Sequence, residues 1–316
     1  MNEPLQTAAA LIRAGELVAF PTETVYGLGA DAFNDSAIQK IYEAKGRPSS
    51  NPLIVHIAEV ADLSLLTDEV GEQEQKLIAA FWPGPLTLVF QKKDTVSSLV
   101  TGGMNTVAVR MPAHSLALKL IKASGTPIAA PSANLSGKPS ATHHAHVQGY
   151  FGDSILCLEG GATEHGLEST VLQIKNGVPH VYRLGSITPE DIERVLGIKP
   201  VFETKSEHSP GTHFKHYAPE TQLEILEPEE LIKKATVGGR KIGILASVEV
   251  LAQLPNELPH FDLGSQSDLL TIGSHVYSGL ITLDALRLNK ILVQSFPEQG
   301  LGLAIMDRLR RAAGEL

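Results

Sequence analysis

The sequence predicts an α/β protein with two domains, a large mixed sheet followed by a smaller parallel domain of the doubly wound type. Apolar runs alternate with helical patterns over the first two hundred residues. Asn176-Gly177 separates two apolar runs, which is typical of a hairpin and therefore of a mixed sheet. A polar stretch containing prolines and glycines at 199–220 precedes a renewed strand–helix–strand pattern. We therefore expect domains at 1–200 and 221–316, joined by a linker at 201–220.

The elements of the first domain follow from periodicity and from helix caps. Asp35 is the predicted N-cap of the second helix, and Thr142 the predicted cap of a helix that begins with His143, His144 and His146. Helices are predicted at 4–14, 36–44, 72–82 and 114–123, and strands at 17–20, 53–57, 86–90, 106–110 and near 128. A hairpin is predicted from strands at 170–174 and 178–182, and a short helix begins at Thr188-Pro189.

The second domain shows the same alternation over a shorter span. Strands are predicted at 223–226, 241–246 and 290–295, and helices at 229–235 and 301–313. The residues Gly238 to Gly243 carry no GxGxxG fingerprint and precede a strand, so no bound dinucleotide is predicted. His275, Tyr277 and Arg287 fit a site and a helix surface equally well.

The composition excludes several classes of protein. Cys157 is the single cysteine of the 316 residues, so neither an intramolecular disulfide nor a cysteine-based zinc site is expected. No basic segment followed by an apolar run opens the chain, and no apolar run is long enough to span a bilayer. We therefore expect a cytoplasmic protein that does not contact a membrane.

The charge distribution points to anion binding at one place. The net charge is −9, which argues against a chain-wide nucleic-acid surface. Residues 101–150 nevertheless contain Arg110, Lys119, Lys122 and Lys138 and no Asp or Glu. A local cationic segment in an acidic protein indicates a focused anion site, and chance clustering on a solvated face explains it as well.

Four loops carry candidate binding groups. Residues 20–29 combine hydroxyls with glycines, and residues 45–51 place Lys45, Arg47, Ser49 and Asn51 at alternate positions, which suits a polyphosphate or a carboxylate. Residues 131–137 are rich in short donors but form no Walker A pattern, so any nucleotide site is of another kind. Hairpin geometry brings Ser169, Thr170 and Arg183 to one edge.

No covalent catalyst or metal site emerges from the motifs. The sequence contains no nucleophile elbow, HExxH or CxxC, so the assembled groups suit positioning and charge stabilisation. His143, His144 and His146 have no second group of ligands and fit a helix start better than a metal site. His56, between Val55 and Ile57, fits a hydrogen-bonded core histidine.

Taken together, these segments resemble the YrdC-like family of threonylcarbamoyl-AMP synthases. The matching segments occur in the family order over residues 5–200 and read PTETVYGLG, KGRPSSNPL, PGPLTLV, TVAVRMP, APSANLSGKPS, LESTV and YRLG. Residues 209–219 are similar to the linker of the long, two-domain Sua-type form, except that Thr212 stands where methionine is usual. The resemblance implies a large twisted mixed sheet and a Rossmann-like second domain.

The resemblance also implies the activity and the site. The enzyme would be a nucleotidyltransferase that makes threonylcarbamoyl-AMP from L-threonine, bicarbonate or CO₂, and ATP, for the t6A modification of tRNA adenosine 37 by a partner transferase complex. Carried over by motif, L-threonine would be surrounded by Thr24, His56, Arg110 and Thr170. ATP would be held by Arg47, Asn51, Thr106, Ser132, Ser140, Arg183 and Tyr217. Tyr217 would close over the nucleotide, so that the linker at 201–220 would also act as a lid. Lys45 and Arg47, with Mg²⁺, would neutralise the leaving pyrophosphate, and no residue is predicted to ligate the metal.

Two alternatives compete with the synthase. Related domains occur in carbamoyl-transfer enzymes, which carry additional zinc-finger or acylphosphatase-like modules that this chain has no room for. An RNA-binding or ribosome-assembly factor would use the cationic segment, although the chain is acidic overall and lacks basic stretches rich in aromatic residues. A weak RNA contact beside the synthase activity is left open.

Overall fold

The computed structural model describes residues 3–203, 216–238 and 241–315. A ten-stranded mixed sheet forms the centre of the first domain. Its strands are β1 (Val18–Phe20), β2 (Gly27–Asp31), β3 (Ile54–His56), β4 (Leu86–Gln91), β5 (Thr106–Arg110), β6 (Ile128–Ala129), β7 (Leu156–Cys157), β8 (Thr170–Lys175), β9 (Val178–Arg183) and β10 (Val201–Phe202). Their spatial order is β10-β9-β8-β4-β5-β3-β6-β2-β1-β7. The predicted mixed sheet is therefore confirmed.

Seven α-helices and two short 3₁₀ segments accompany this sheet in the described residues 3–203. The helices are α1 (Glu3–Arg13), α2 (Asp35–Lys45), α3 (Glu72–Phe81), α4 (Ser98–Thr101), α5 (Ser115–Ser124), α6 (His144–Phe151) and α7 (Pro189–Leu196). The 3₁₀ segments are Val60–Leu65 and Gly152–Ser154. Buried faces of α1 and α5 pack together with Val18 and Phe20, whereas α2 packs into the main core.

The second domain has a smaller sheet with parallel strands, as predicted. Its strands are β11 (Gln222–Leu226), β12 (Ile242–Ala246), β13 (His260–Asp262) and β14 (Lys290–Gln294), in the order β11-β14-β12-β13. Its helices are α8 (Pro228–Gly238), α9 (Val248–Leu251), α10 (Leu269–Asp284) and α11 (Leu301–Ala313). Strands joined through helices produce this parallel order.

Several local predictions are confirmed and two caps are wrong. Asn176 and Gly177 both have positive φ, which the predicted hairpin turn requires. Thr188 caps α7 in a capping box with Asp191. Helix α2 is capped by Asn34, whose side chain accepts from the Ala37 N–H, and not by Asp35. Helix α6 is capped by the His143 imidazole, and not by Thr142.

The two domains meet through buried side chains. Val25 and Leu167 of the first domain share a hydrophobic cluster with α10 and α11 of the second. At Gly166 a Cβ atom would lie 2.3 Å from the Ser274 Cα, so the backbones of the two domains touch there. This contact and Tyr217 bring the second domain close to the ends of β8 and β9.

The domain limits differ slightly from the predicted ones. Strand β10 extends the large sheet to residue 202, two residues beyond the predicted limit at 200. Most of the predicted linker, including Thr212, lies outside the described residues. Among the described residues, no helix has the length and apolar character needed to cross a bilayer.

Candidate active site

A cleft opens where several strands of the large sheet end. It is bounded by the loop after β1, the end of α2, the loop after β6, and the ends of β3, β5 and β9. The lining includes two groups of side chains. The first group contains Thr22, Thr24, His56 and Arg110, and the second contains Lys45, Arg47, Ser132, Ser169, Arg183 and Tyr217.

Arg110 is the centre of the first group. Its Nη2 lies 2.6 Å from Oε2 of Glu23, and its Nη1 donates to the Thr24 hydroxyl at 2.7 Å. Its Nε donates to the Gly84 carbonyl at 3.2 Å. Burial opposes ionisation of Glu23, but the Arg110 guanidinium and the Ala113 backbone N–H outweigh it and lower the Glu23 pKa. The pair is therefore ionised, and Arg110 is fixed in place.

His56 stands next to Arg110 in register on the neighbouring strand. Burial, and then the nearby Arg110, lower the pKa of His56 to about 3, so the imidazole is neutral at physiological pH. Its Nδ1 is buried and has no hydrogen-bond partner within the described ranges. A buried nitrogen without a partner beside a cleft is suited to a bound ligand.

Lys45, in the second group, lies in the last turn of α2. The side chain is almost fully buried, and its Nζ donates to the carbonyls of Ser132, at 2.6 Å, and Asn134. Burial, followed by the charge of Arg47, holds the Lys45 pKa well below its usual value of 10.5. An anion in the cleft would reverse this penalty, because it would favour the protonated amine.

Arg47 and Arg183 add two further cations, both partly buried. Arg47 donates from Nη2 to the Pro52 carbonyl at 3.0 Å and from Nε to the Asn51 carbonyl at 3.3 Å. Burial lowers its pKa to about 10. Arg183 donates from Nε to the Ser169 carbonyl and from Nη2 to the Ser169 hydroxyl, both at 3.0 Å. The predicted approach of Ser169 and Arg183 is confirmed by these bonds.

Four of the predicted ligand-binding residues are absent from the part of the cleft lining that the structure describes. Ser140 is buried and donates to Glu168 at 2.5 Å, and Thr170 is buried and donates to the Ile187 carbonyl at 2.6 Å. Thr106 begins β5 opposite Gln91, four residues before Arg110. Within the described residues, the side chains that line the cleft do not include Asn51, Thr106, Ser140 or Thr170. Their assignment to ligands stays a prediction.

The cationic segment contributes less than its charge indicates. Lys122 lies 3.9 Å from Glu59, and Lys138 lies 2.9 Å from Glu220. Arg110 and Lys138 are the cations of residues 101–150 that line the cleft. Three of the Lys and Arg side chains that line the cleft, Lys45, Arg47 and Arg183, come instead from outside this segment.

Two residues of the second domain adjoin the cleft. Tyr277, for which the sequence fits a site and a helix surface equally well, is buried, and its hydroxyl donates to Glu168. Arg308 is buried and donates to Glu168 at 2.8 Å. The sequence offers no local signal for either contact, because Glu168 is more than a hundred residues away along the chain.

Comparison with known proteins places the chain among well-described relatives. A family model described as "Telomere recombination" (Sua5_yciO_yrdC) matches residues 10–185, and one described as "Threonylcarbamoyl-AMP synthase, C-terminal domain" matches residues 187–314. A Bacillus subtilis protein named threonylcarbamoyl-AMP synthase is 47% identical, over 99% of this chain and 94% of its own length. The structure of Pyrococcus abyssi Sua5 complexed with L-threonine matches with a TM-score of 0.89 and 42% identity, over 98% of this chain and 94% of that one.

Proposed function

This chain belongs to the threonylcarbamoyl-AMP synthase family in its two-domain form, and we propose that its cleft joins L-threonine, bicarbonate or CO₂, and ATP into L-threonylcarbamoyl-AMP and pyrophosphate. The observation that carries the proposal is the pair of side-chain groups in one cleft. One group surrounds a fixed guanidinium, Arg110, and the other contains three cations, the buried Lys45 and the partly buried Arg47 and Arg183.

The group around Arg110 suits a small amino acid. A guanidinium has five N–H donors, and three of them are used by Glu23, Thr24 and Gly84. The remaining donors, with the Thr24 hydroxyl, would bind the carboxylate of threonine. Because His56 is neutral, it would not repel the threonine amine. Thr170, from the predicted set, would support this part of the cleft from below its surface.

The three cations of the second group suit a triphosphate. Lys45 and Arg47 would face the β- and γ-phosphates, and Arg183, Ser132 and Tyr217 would hold the rest of the nucleotide, with Asn51, Thr106 and Ser140 behind them. Desolvation lowers the pKa values of Lys45 and Arg47. The negative charge of a bound nucleotide would offset this effect, because it stabilises the protonated side chains.

The chemistry needs positioning and no covalent enzyme intermediate. The deprotonated threonine amine attacks CO₂ and forms a carbamate, releasing a proton. A carbamate oxygen then attacks the α-phosphorus of ATP, the bond to the bridging oxygen breaks, and pyrophosphate leaves. Lys45 and Arg47 would stabilise the charge that develops on pyrophosphate. Burial in the cleft would limit the return of the carbamate to amine and CO₂.

Mg²⁺ would enter with ATP. Among the described residues, no group of three His, Cys, Asp or Glu side chains is placed to hold a metal ion. The nearby carboxylates are committed, since Glu23 pairs with Arg110 and Glu168 with Arg308. A Mg²⁺ ion is commonly held by substrate phosphates and water, so we write the substrate as Mg-ATP and assign the metal no step.

The product would be used outside this chain. We propose that a threonylcarbamoyl transferase complex takes it to adenosine 37 of tRNA, in the cytoplasm, and a weak RNA contact of this chain stays a prediction. The carbamoyl-transfer and RNA-binding alternatives are set aside, because the family model of the second domain and the full-length relatives carry the synthase name.

The test is incorporation of radiolabelled bicarbonate by the purified protein with Mg-ATP and one amino acid at a time. We expect label in an adenylated product with threonine, less with serine, and none with alanine. Arg110→Lys, which keeps the charge but loses the planar set of donors, should raise the KM for threonine. A folded protein that binds ATP and never forms the labelled product would contradict the proposal.

A further inference from the structure

Arg308 of α11 connects the second domain to the two strands that carry cleft residues. Its Nε donates to Oε2 of Glu168 at 2.8 Å, and its Nη2 donates to the Leu184 carbonyl at 2.6 Å. Glu168 directly precedes Ser169, and Leu184 directly follows Arg183. One planar side chain therefore sets the spacing between the two chain segments whose residues, Ser169 and Arg183, bond to each other in the cleft.

The Glu168 carboxylate is held from several directions. Tyr277 of α10 donates its hydroxyl to this carboxylate, 3.0 Å from Oε2, and Ser140 donates to Oε1 at 2.5 Å. Burial opposes ionisation, but Arg308 and Arg183 outweigh it and lower the Glu168 pKa. A carboxylate with this many donors has one orientation, so Glu168 is a fixed connection and not a mobile acid.

The same two residues of the second domain hold Tyr217. The Arg308 guanidinium lies 5.4 Å from the Tyr217 ring centroid, and the Tyr277 ring centroid lies 5.3 Å from it. Tyr217 has a φ of 63°, an unfavourable conformation for a bulky residue. Packing between these rings and the guanidinium keeps the Tyr217 ring at the cleft in spite of that backbone conformation.

We propose that Arg308 and Tyr277 are positioning residues for the nucleotide, through Glu168, Leu184 and Tyr217. Through these contacts the second domain would take a direct part in ATP recognition. The contacts described for Arg110 come from Glu23, Thr24 and Gly84 of the first domain, so Arg308 does not hold the guanidinium that would bind threonine. This inference rests on the proposed function for the identity of the nucleotide.

The test compares Arg308→Lys, Tyr277→Phe and the control Ser278→Ala in the full chain. Ser278 follows Tyr277 on α10 and bonds across the domain interface to Thr142, away from Glu168. Calorimetry measures the Kd of a non-hydrolysable ATP analogue and, separately, the Kd of threonine. We expect the analogue Kd to rise about tenfold in Arg308→Lys, which cannot reach Glu168 and Leu184 together, and about threefold in Tyr277→Phe. Threonine Kd, and both Kd values in Ser278→Ala, should stay within about twofold.

The outcomes separate this inference from the proposed function. If the Kd of threonine and the Kd of the ATP analogue rise equally and the Tm falls, the contact is a general domain interface and the inference is overturned. An unchanged Kd of the analogue would also overturn it. If Arg308→Lys does not fold, Tyr277→Phe decides, because it removes one hydroxyl and keeps the ring. If the variants weaken the analogue but the wild-type protein makes no threonylcarbamoyl-AMP, the proposed function fails and the positioning role stands.

Discussion

Lys45→Gln separates the charge of Lys45 from its hydrogen bonds. The Gln amide nitrogen carries two N–H groups, one for each of the Ser132 and Asn134 carbonyls that Lys45 serves now, on a side chain that is one bond shorter. The lost charge would face a phosphate about 4 Å away, an interaction of about 4 kcal/mol at an effective dielectric constant of about 20. At about 1.4 kcal/mol for each factor of ten, kcat/KM for ATP should fall about a thousandfold.

Stability should respond differently from activity in the same variant. Burial lowers the Lys45 pKa, so the folded protein bears a desolvation penalty that a neutral amide does not. We expect the Tm of Lys45→Gln to equal or exceed that of the wild type, measured by thermal unfolding beside product formation. The control is Lys40→Gln on the same helix, whose partly exposed amine bonds to Glu16 and to the Gly15 carbonyl. An activity near that of the wild type, or a large loss of Tm, would refute the reasoning.

Three further predictions concern Glu23, His56 and Gly185. Glu23→Ala leaves the buried Arg110 without its partner and should lower the free energy of unfolding in urea by about 3–5 kcal/mol at pH 7. Because the pKa of Glu23 in the folded protein lies below its usual 4.5, the wild type should lose the stability that Glu23 contributes as the pH falls from 4.5 through the folded pKa. A difference in unfolding free energy between wild type and Glu23→Ala that persists below the folded pKa would contradict this. Because the His56 pKa is about 3, the threonine Kd measured by calorimetry should show no inflection between about pH 5.5 and 8. An inflection near about pH 6.5 in the wild type that is absent in His56→Gln would contradict this, because it would show a histidine with an ordinary pKa. Gly185→Ala places a Cβ 2.4 Å from the Thr170 nitrogen, so both Tm and affinity for the ATP analogue should fall, and an unchanged pair of values would mean that the backbone adjusts freely.

The sequence predicts the elements whose causes are local. The hairpin of β8 and β9 follows from Asn176-Gly177, and α7 follows from Thr188 and Pro189, because each signal lies within the element that it defines. Strand β2 was missed because Gly27 and Gly29 favour a loop. It forms because Ile128 and Phe20 pack close to Gly29, where a side chain would collide with both.

Helix α10 was missed for a related reason. It contains Gly273 and Gly279, which weaken a helical pattern. The structure uses both for close packing, Gly273 against Leu167 of the first domain and Gly279 against Leu245. Such contacts depend on residues far away in the chain, so a local pattern cannot reveal them.

The candidate site shows the same division. Motif resemblance selected Arg110, His56, Lys45, Arg47 and Arg183, and all five line one cleft. It did not select Glu23, which pairs with Arg110, because a carboxylate next to a cation is visible only after β5 and the loop after β1 have come together. The Arg110 guanidinium thus already pairs with a carboxylate of the same chain before any ligand binds.

The distance in sequence between Glu168 and Arg308 has a consequence for the newly made protein. Arg308 follows Glu168 by 140 residues, so at about 5–20 residues per second a ribosome adds it about 7–28 s later. Throughout that interval a first domain that has closed its sheet would hold the Glu168 carboxylate without its cationic partner from α11. The ends of β8 and β9 therefore reach their final arrangement only after the second domain has been synthesised.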